Sequence, residues 1–183
     1  MMRRISVGVI TVSDKASRGE REDRSYHAIK ETLEGFKAQD ACFEILSYEI
    51  VPDERDQIAS LLRRFADEEG LDLVFTTGGT GLSPRDVTPE ATMEVVERIV
   101  PGIPERMRAE SIKKTPAGML SRSVCGIRGE TLIINLPGSP KGAKECLEAV
   151  ILALPHAIEV LKGELGDHEP PRFDRKRPTK SDG

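Results

Sequence analysis

Residues 73–89 read LVFTTGGTGLSPRDVTP, and this stretch organises the rest of the chain. The apolar run at its start is typical of a buried β-strand. The glycines that follow predict a tight turn, because two residues there can adopt a positive φ without a Cβ clash and can present bare amide N–H groups to a ligand. Thr88 and Pro89 then predict a helix start, with Thr88 as the N-cap and Pro89 in the first helical position.

A strand, a glycine turn and a helix start together predict an anion site, since a helix N-terminus carries unpaired N–H groups and partial positive charge. Asp86 lies just before the predicted helix, where its carboxylate would repel a bare phosphate. A cation between the two removes that conflict, so we infer a nucleotide held with Mg²⁺. The motif is neither a P-loop nor a dinucleotide fingerprint. The alternative is a glycine-rich connection that only lets the strand and the helix pack.

The composition is typical of a globular protein, with 38% hydrophobic and 32% charged residues among 183. This length predicts one domain. A formal net charge of −4 and 4% aromatic residues argue against nucleic-acid binding, which favours basic surfaces and stacking rings. No apolar run approaches the ~20 residues of a membrane span, and no cleavage site follows the N-terminal residues. We therefore expect no membrane association, no signal peptide and a cytoplasmic location.

Cysteine and histidine are too scattered to suggest metal or nucleophile chemistry. Cys42, Cys125 and Cys146 form no CxxC pair, and we interpret them as reduced core residues. A catalytic thiol has little support, because nothing nearby in sequence would lower its pKa. The three histidines lie in no motif, and the sequence contains no zinc-type cluster.

Hydrophobic periodicity divides the chain into alternating strands and helices. The predicted strands are 5–12, 43–51, 71–76, 124–127 and 131–136, with the last two forming a hairpin. Helices are predicted from 25, over 54–70, from 89 to 100, over 103–114, and from the region after 141 to 161 with an interruption at Pro155. The helix from Pro89 is expected to bury Met93, Val96 and Val100.

Residues 1–164 form the predicted domain. Residues 165–183 are rich in proline and charge and contain almost no apolar side chains. Such a segment cannot bury enough apolar surface to fold, so we expect a flexible C-terminal tail.

Strands that alternate with helices predict an α/β fold with right-handed crossovers. In such folds, ligands bind outside the carboxyl ends of the strands. Polar or glycine-rich loops follow four predicted strands here, namely Ser13-Asp14, Asp53, the Gly78–Asp86 turn and Pro137–Lys141. We therefore predict that these loops meet at one rim of the sheet and form a composite site.

Six blocks of the sequence resemble the molybdopterin adenylyltransferase family of the bacterial MogA/MoaB type, which is related to domains of plant and animal proteins such as gephyrin. The blocks are VITVSD (9–14), IVPDE (50–54), TTGGTG (76–81), RDVTPEA (85–91), LSR (120–122) and INLPGSPKG (134–142). The resemblance covers about residues 5–162. It departs from the family at Tyr26, which follows Ser25 where the family often has a glycine.

The resemblance implies a three-layer α/β sandwich with a mostly parallel central sheet, usually in a homotrimer. It also implies transfer of AMP from MgATP to the terminal phosphate of molybdopterin with release of pyrophosphate, in molybdenum cofactor biosynthesis. Hand-over of the product to the molybdenum insertase is a further expectation. Because the attacking phosphate is already an anion, the reaction needs positioning and charge neutralisation, with no histidine base and no serine nucleophile.

Within this resemblance, Asp53 and Asp86 are the candidates for catalysis and for holding Mg²⁺. Each carboxylate also has a structural alternative. Asp53 could be the N-cap of the helix predicted over 54–70, and Asp86 could be a turn residue that orients Thr88.

The resemblance also implies a set of residues that bind the nucleotide or the pterin. These candidates lie in the strand-end loops or in the LSR block, where Ser121 and Arg122 would bind the pterin side: Ser13, Asp14, Gly78, Gly79, Thr80, Gly81, Ser121, Arg122, Gly138, Ser139 and Lys141. A cap or loop hydrogen bond is the alternative for Ser13 and Asp14, and solvent exposure is the alternative for Lys141.

Two other functions are compatible with the sequence. A MoaB-like paralogue would bind molybdopterin without adenylylating it, and it would release no pyrophosphate from ATP. A hydrolase of the competence-protein-like kind would cleave ATP or a dinucleotide without any pterin. The presence of both Asp53 and Asp86 favours the adenylyltransferase.

Overall fold

The computed structural model describes residues 2–37 and 41–164, so the tail predicted at 165–183 lies outside the described residues. The strands are β1 (Arg3–Val12), β2 (Ala41–Val51), β3 (Leu73–Thr77), β4 (Arg98–Ile99), β5 (Cys125–Arg128) and β6 (Thr131–Leu136). They form one six-stranded sheet in the order β2-β1-β3-β6-β5-β4. The division of the chain into a domain at 1–164 and a tail stays a prediction.

The helices connect these strands and cover the sheet. They are α1 (Asp14–Ser17), α2 (Arg24–Glu34), α3 (Arg55–Arg63), α4 (Thr88–Val95), α5 (Gly102–Ile112), α6 (Pro140–Val150) and α7 (Leu154–Leu161). A π-helical turn at Arg64–Glu68 extends α3, and 3₁₀ turns lie at Pro116–Leu120 and Ile151–Ala153. Across 2–37 and 41–164, no helix is both long enough and apolar enough to cross a membrane.

The strand pairing confirms the predicted α/β fold with a mostly parallel sheet. β1 pairs in parallel with β2 and β3, and β3 pairs in parallel with β6. β5 runs antiparallel to β6, as the hairpin prediction required, and β4 pairs antiparallel with β5 at the sheet edge. The four parallel strands therefore end at the same rim.

Two apolar clusters make the structure a three-layer sandwich. The cluster on one face of the sheet contains Ile29 and Leu33 of α2 and Leu147 of α6, with α5 and α7 beside them. A smaller cluster on the opposite face contains Ile58 of α3 and Val95 of α4. Each helix layer buries its apolar stripe against the sheet, which is the arrangement that the helical periodicity predicted.

The strand β3 alternates between these two clusters. Leu73 and Phe75 point into the larger cluster, and Val74 points into the smaller one. All three side chains are fully buried. A strand covered on both faces needs apolar residues at consecutive positions, which is why this run carries no polar alternation.

The helix predicted from 89 to 100 is shorter than expected, and this prediction is wrong at its C-terminal end. α4 ends at Val95, and the Met93 side chain is half exposed. The reason is a competing partner for the backbone, since the Glu97 N–H donates to Ile127 O at 2.8 Å and the Val100 N–H donates to Cys125 O at 2.8 Å. Pairing with β5 therefore replaces the last helical turn.

Two further local predictions are corrected by the structure. Val87, and not Thr88, is the N-cap residue of α4, and the Thr88 hydroxyl instead donates to Gly78 O at 2.9 Å. The polar segment after β1, which was predicted to be a loop, contains the short helix α1. Ser13 is the N-cap of α1, and its hydroxyl oxygen accepts from the Ala16 N–H at 3.2 Å.

A buried carboxylate joins the last helix to the opposite rim of the sheet. Asp72 precedes β3, and its Oδ2 accepts from the N–H and the hydroxyl of Ser6 at 2.8 and 2.9 Å. Its Oδ1 pairs with the Lys162 ammonium just after α7. Burial opposes ionisation, but Lys162 and the two Ser6 donors outweigh it and lower the pKa of Asp72 below its ordinary value.

We predict that Asp72→Asn destabilises the fold and flattens its acid sensitivity. Because the folded pKa is lowered, this stability is present above the unfolded pKa of about 4 and is lost as the pH falls through the folded pKa. Urea unfolding at pH 7 should show a loss of about 1–3 kcal/mol. Glu44→Gln, which removes an exposed pair with Arg4, is the control and should cost less than about 1 kcal/mol. Equal losses in both variants would contradict this role of Asp72.

Candidate active site

A cavity of about 390 Å³ opens where the parallel strands end. All four predicted loops line it, through Ser13, Asp53, Gly78, Gly79, Gly138 and Ser139. The segment before α2 and the first turn of α2 complete the wall with residues that the sequence did not single out, including Arg21, Asp23 and Ser25. The structure therefore brings together loops that are far apart in the chain, at the rim where α/β folds bind ligands.

The glycine turn has the geometry that its sequence predicted. Gly78 and Gly79 have φ values of 103° and 64°, which favour glycine. A Cβ on Gly78 would lie 2.3 Å from Val12 O, and a Cβ on Gly79 would lie 2.3 Å from Thr88 Oγ1. Both glycines thus allow β1 and α4 to approach the turn closely. The glycines therefore let the strand and the helix pack closely, as the alternative interpretation proposed, and they also line the cavity.

Asp53 is held in place by a reciprocal pair of hydrogen bonds with Asp14. The Asp14 N–H donates to Asp53 Oδ2 at 2.9 Å, and the Asp53 N–H donates to Asp14 Oδ1 at 3.0 Å. Glu54, and not Asp53, is the N-cap residue of α3, so the capping alternative for Asp53 is wrong. The Asp53 carboxylate also lies against the glycine turn, since a Cβ on Gly79 would lie 3.2 Å from its Oδ1.

Arg85 offsets the negative charge of Asp14, the other member of this pair. Its guanidinium bonds both carboxylate oxygens of Asp14, with Nη2 at 2.9 and 3.0 Å, and it reaches Glu54 at 3.0 Å. This contact, with the Asp53 N–H, lowers the pKa of Asp14. The carboxylate predicted to bind the pterin or adenine is therefore engaged within the protein, which agrees with the hydrogen-bonding alternative for Asp14.

Asp86 lies beside the same glycine turn. A Cβ on Gly81 would lie 2.9 Å from Asp86 Oδ2, and that oxygen accepts from the Ser83 N–H at 2.9 Å. Asp86 therefore closes a turn, as its alternative interpretation required, although the Thr88 hydroxyl bonds Gly78 O instead of Asp86.

The charge of Asp86 acts on the other candidate metal carboxylate, Asp53. Burial raises the pKa of Asp53, and the negative charges of Asp14 and Asp86 raise it further, while the Asp14 N–H opposes them. Half-buried carboxylates that repel one another are a site that a cation would stabilise. Across 2–37 and 41–164, no group of three or more His, Cys, Asp and Glu side chains could hold a metal ion alone. Two carboxylates still fit Mg²⁺, because this ion usually takes its other ligands from water and substrate phosphates.

The remaining candidates divide between the cavity and its surroundings. Ser139 is the N-cap of α6 and accepts from the Gly142 N–H at 3.1 Å, and Gly138 O accepts from the Ser25 hydroxyl at 2.6 Å. Thr80 is buried within the turn. Lys141 and Ser121 do not line the cavity: Lys141 is exposed on α6, and the Ser121 hydroxyl donates to Ser123.

Several residues of the site carry no sequence signal of their own. Arg85 lies inside a recognisable block, but the sequence does not reveal that it pairs with Asp14. The Thr77 hydroxyl donates to Pro137 O at 2.7 Å and ties the glycine turn to the loop after β6. Such contacts depend on which strands are neighbours, and that order is a property of the folded chain.

Comparison with known proteins gives a consistent result. Residues 8–156 match a protein-family model described as "Probable molybdopterin binding domain". A molybdopterin adenylyltransferase of Helicobacter pylori (strain J99) is 48% identical over 162 residues, which are 88% of this chain and 90% of that protein. The Escherichia coli (strain K12) protein of the same name is 40% identical over 174 residues, 88% of each chain.

A solved structure agrees with these sequence matches. The crystal structure of the molybdopterin biosynthesis enzyme MoaB from Thermus thermophilus is similar with a TM-score of 0.80 and 56% identity. The similarity covers 87% of this chain and 97% of that one. At this level of identity, the likeness extends beyond a shared topology.

We predict that Gly79→Ala costs far more stability than Gly19→Ala. Both glycines have a positive φ, but no atom lies within 4 Å of a Cβ on Gly19. Gly19→Ala should therefore cost only the backbone strain of about 1 kcal/mol. Gly79→Ala should add the clash with the Thr88 hydroxyl and reach about 2–4 kcal/mol in urea unfolding. Equal costs would show that α4 does not approach the turn this closely.

Proposed function

The chain belongs to the molybdopterin-binding domain family, and from this membership we propose that it is a molybdopterin adenylyltransferase acting in molybdenum cofactor biosynthesis. It transfers AMP from ATP to the terminal phosphate of molybdopterin and releases pyrophosphate. The observation that carries this proposal is the pair Asp53 and Asp86 at one glycine turn: Asp53 lines the cavity of about 390 Å³, and Asp86 lies against Gly81 just outside the cavity wall. The names of the relatives from Helicobacter pylori and Escherichia coli support the same activity.

The chemistry requires no protein nucleophile. An oxygen of the molybdopterin phosphate forms a bond to the α-phosphorus of ATP, and the bond from that phosphorus to the bridging oxygen of the β-phosphate breaks. The electron pair leaves with pyrophosphate. The attacking oxygen is already anionic near neutral pH, so the protein must position two anions and offset their repulsion.

We propose that Asp53 and Asp86 hold Mg²⁺ with the triphosphate. When bound, Mg²⁺ supplies positive charge that offsets the charge on the phosphate oxygens and on the leaving pyrophosphate. The contribution of the chain is orientation. Asp14 fixes Asp53 through two hydrogen bonds, and Ser83 fixes one oxygen of Asp86.

The glycine turn and the start of α6 are the proposed anion-binding elements. Backbone amides of Gly78–Gly81, together with Gly138 and Ser139, would contact phosphate groups, and the N-terminus of α6 adds partial positive charge. Ser13 lines the same cavity and would contact the pterin or the adenine. Thr80, Gly81 and Asp86 follow the two wall glycines along the same turn and lie just outside the wall. Asp14, Ser121 and Lys141 also lie outside it, so we assign any substrate contact of theirs to its margin.

The binding-only alternative has one specific observation in its favour. The structural neighbour with 56% identity carries the name MoaB. By the family resemblance, a MoaB-like protein could bind molybdopterin without transferring AMP. The two functions differ in one product. Purified protein with ATP and Mg²⁺ should release pyrophosphate when molybdopterin is added, and it should release none without it. Binding of molybdopterin with no pyrophosphate in either case would favour the alternative.

We predict that Asp86→Asn loses catalysis but keeps substrate binding. Removing one carboxylate from the proposed metal pair should lower kcat for pyrophosphate release by about 100-fold or more. The Kd for molybdopterin should change by less than about threefold, because the lost interaction concerns the reacting phosphates. Asp67→Asn removes an exposed carboxylate paired with Arg128 and is the control for charge loss. Unchanged turnover in Asp86→Asn would remove Asp86 from the metal role.

We further propose that the protein is a cytoplasmic homotrimer that hands its product to the molybdenum insertase. The family resemblance supports this proposal. Light scattering on the purified protein should give a mass near three times the 20.1 kDa of one chain. A mass of one chain at micromolar concentration would contradict the trimer.

A further inference from the structure

Arg122 bridges the two ends of the loop over residues 81–86, which carries Asp86. Its Nε donates to Gly81 O at 2.7 Å, and its Nη2 donates to Asp86 O at 2.6 Å. The remaining terminal nitrogen, Nη1, pairs with the Glu90 carboxylate on α4. Because the two carbonyl groups stand at opposite ends of the loop, one planar guanidinium fixes the separation of both ends.

Hydrogen bonds also fix the backbone of Arg122 and of its two neighbours. The Arg122 N–H donates to Thr80 O at 2.9 Å, so the backbone is tied to the glycine turn itself. On either side of Arg122, the carbonyls of Ser121 and Ser123 accept from Arg108 Nη1 at 3.3 and 3.2 Å. Arg108 belongs to α5, which packs in a different layer from α4. The position of Arg122 is therefore set by the body of the domain and not by the loop that it holds.

The loop transmits this restraint to a carboxylate. The carbonyl of Asp86 that Arg122 holds is one bond from the Cα that bears the side chain. Oδ2 of that side chain accepts from the Ser83 N–H at 2.9 Å, and the Asp86 N–H donates back to Ser83 O at 2.9 Å. Gly81, at the other end, lies against the same Oδ2. Arg122 thus fixes the backbone on both sides of the Asp86 carboxylate.

Arg122 does not line the cavity of about 390 Å³. Its donors are directed at two protein carbonyls and one protein carboxylate. With the proposed function as a premise, we propose that Arg122 is a positioning residue that acts on AMP transfer through Asp86. It is not a group that contacts the pterin or the phosphates.

The first test measures the loop in the absence of substrate. Arg122→Gln removes the double contact, so amide hydrogen exchange over residues 82–87 should accelerate by about tenfold or more. Arg128→Gln is the matched control, because Arg128 also pairs with a carboxylate, Asp67, and donates to a backbone carbonyl, Val95 O at 3.0 Å. In that variant, exchange over 82–87 should stay at the wild-type rate. Equal exchange in wild type and Arg122→Gln would overturn the proposal.

The second test is a double-mutant cycle on pyrophosphate release. Arg122→Gln alone should lower kcat by about 10- to 100-fold, with the KM for ATP and for molybdopterin changed by less than about threefold. In the Asp86→Asn background, the same substitution should lower the remaining rate by less than about threefold, because the group through which it acts is already gone. A full multiplicative loss in that background, or a large rise in KM, would overturn the proposal.

A lysine variant covers the case in which Arg122→Gln does not fold. Arg122→Lys keeps the charge but cannot bridge two carbonyls in the same way. It should therefore show the same acceleration of exchange over 82–87 and a loss of kcat close to that of Arg122→Gln, and accelerated exchange with an unchanged kcat would overturn the proposal. The cycle also separates this inference from its premise: a wild-type protein that releases no pyrophosphate overturns the proposed function, whereas an active wild type with an unaffected Arg122→Gln variant overturns only the positioning role.

Discussion

The register of the parallel strands is the constraint on which the site depends. Thr11 of β1 pairs with Thr77 of β3, Thr77 pairs with Leu136 of β6, and Val12 pairs with Val51 of β2. The four strands therefore end within about one residue of each other, and their loops emerge at one rim. A slip of one residue in β3 would exchange its two buried faces and would also move the glycine turn away from β1.

The rim is rigid because its loops are tied to each other and not only to their own strands. Asp14 and Asp53 exchange hydrogen bonds between the loops after β1 and β2, and Thr77 connects β3 to the loop after β6. These ties hold Asp53 partly buried and close to other carboxylates. Burial first, and the like charges of Asp14 and Asp86 next, raise the pKa of Asp53. Arg85 reduces the repulsion between Asp14 and Asp53 by pairing with the Asp14 carboxylate. A reaction between two phosphates needs positive charge, which a cation held by such fixed carboxylates would supply, and it needs no nucleophile from the protein.

Periodicity predicted the fold well because each element buries its own apolar pattern. The predictions failed where a distant partner competed with the local pattern. Residues 97–100 bond to β5 and so do not continue α4. The Thr88 hydroxyl donates to Gly78 O and so does not cap α4. In the site, the sequence pattern predicted the glycine turn, and the family resemblance named both candidate metal carboxylates, whose metal role stays a prediction. The contacts of Arg85 and Arg122 could not be predicted, because each bonds residues that are distant in sequence.

The central claim is that Asp53 and Asp86 hold one metal ion together with the triphosphate. Electron–nuclear double resonance tests it directly, with Mn²⁺ and a non-hydrolysable ATP analogue bound to protein that carries carbon-13 in its aspartate carboxylates. We predict couplings from two carboxylates, of which Asp53→Asn removes one and Asp86→Asn removes the other, while Asp14→Asn removes neither. A spectrum that neither Asp53→Asn nor Asp86→Asn changes would contradict the claim.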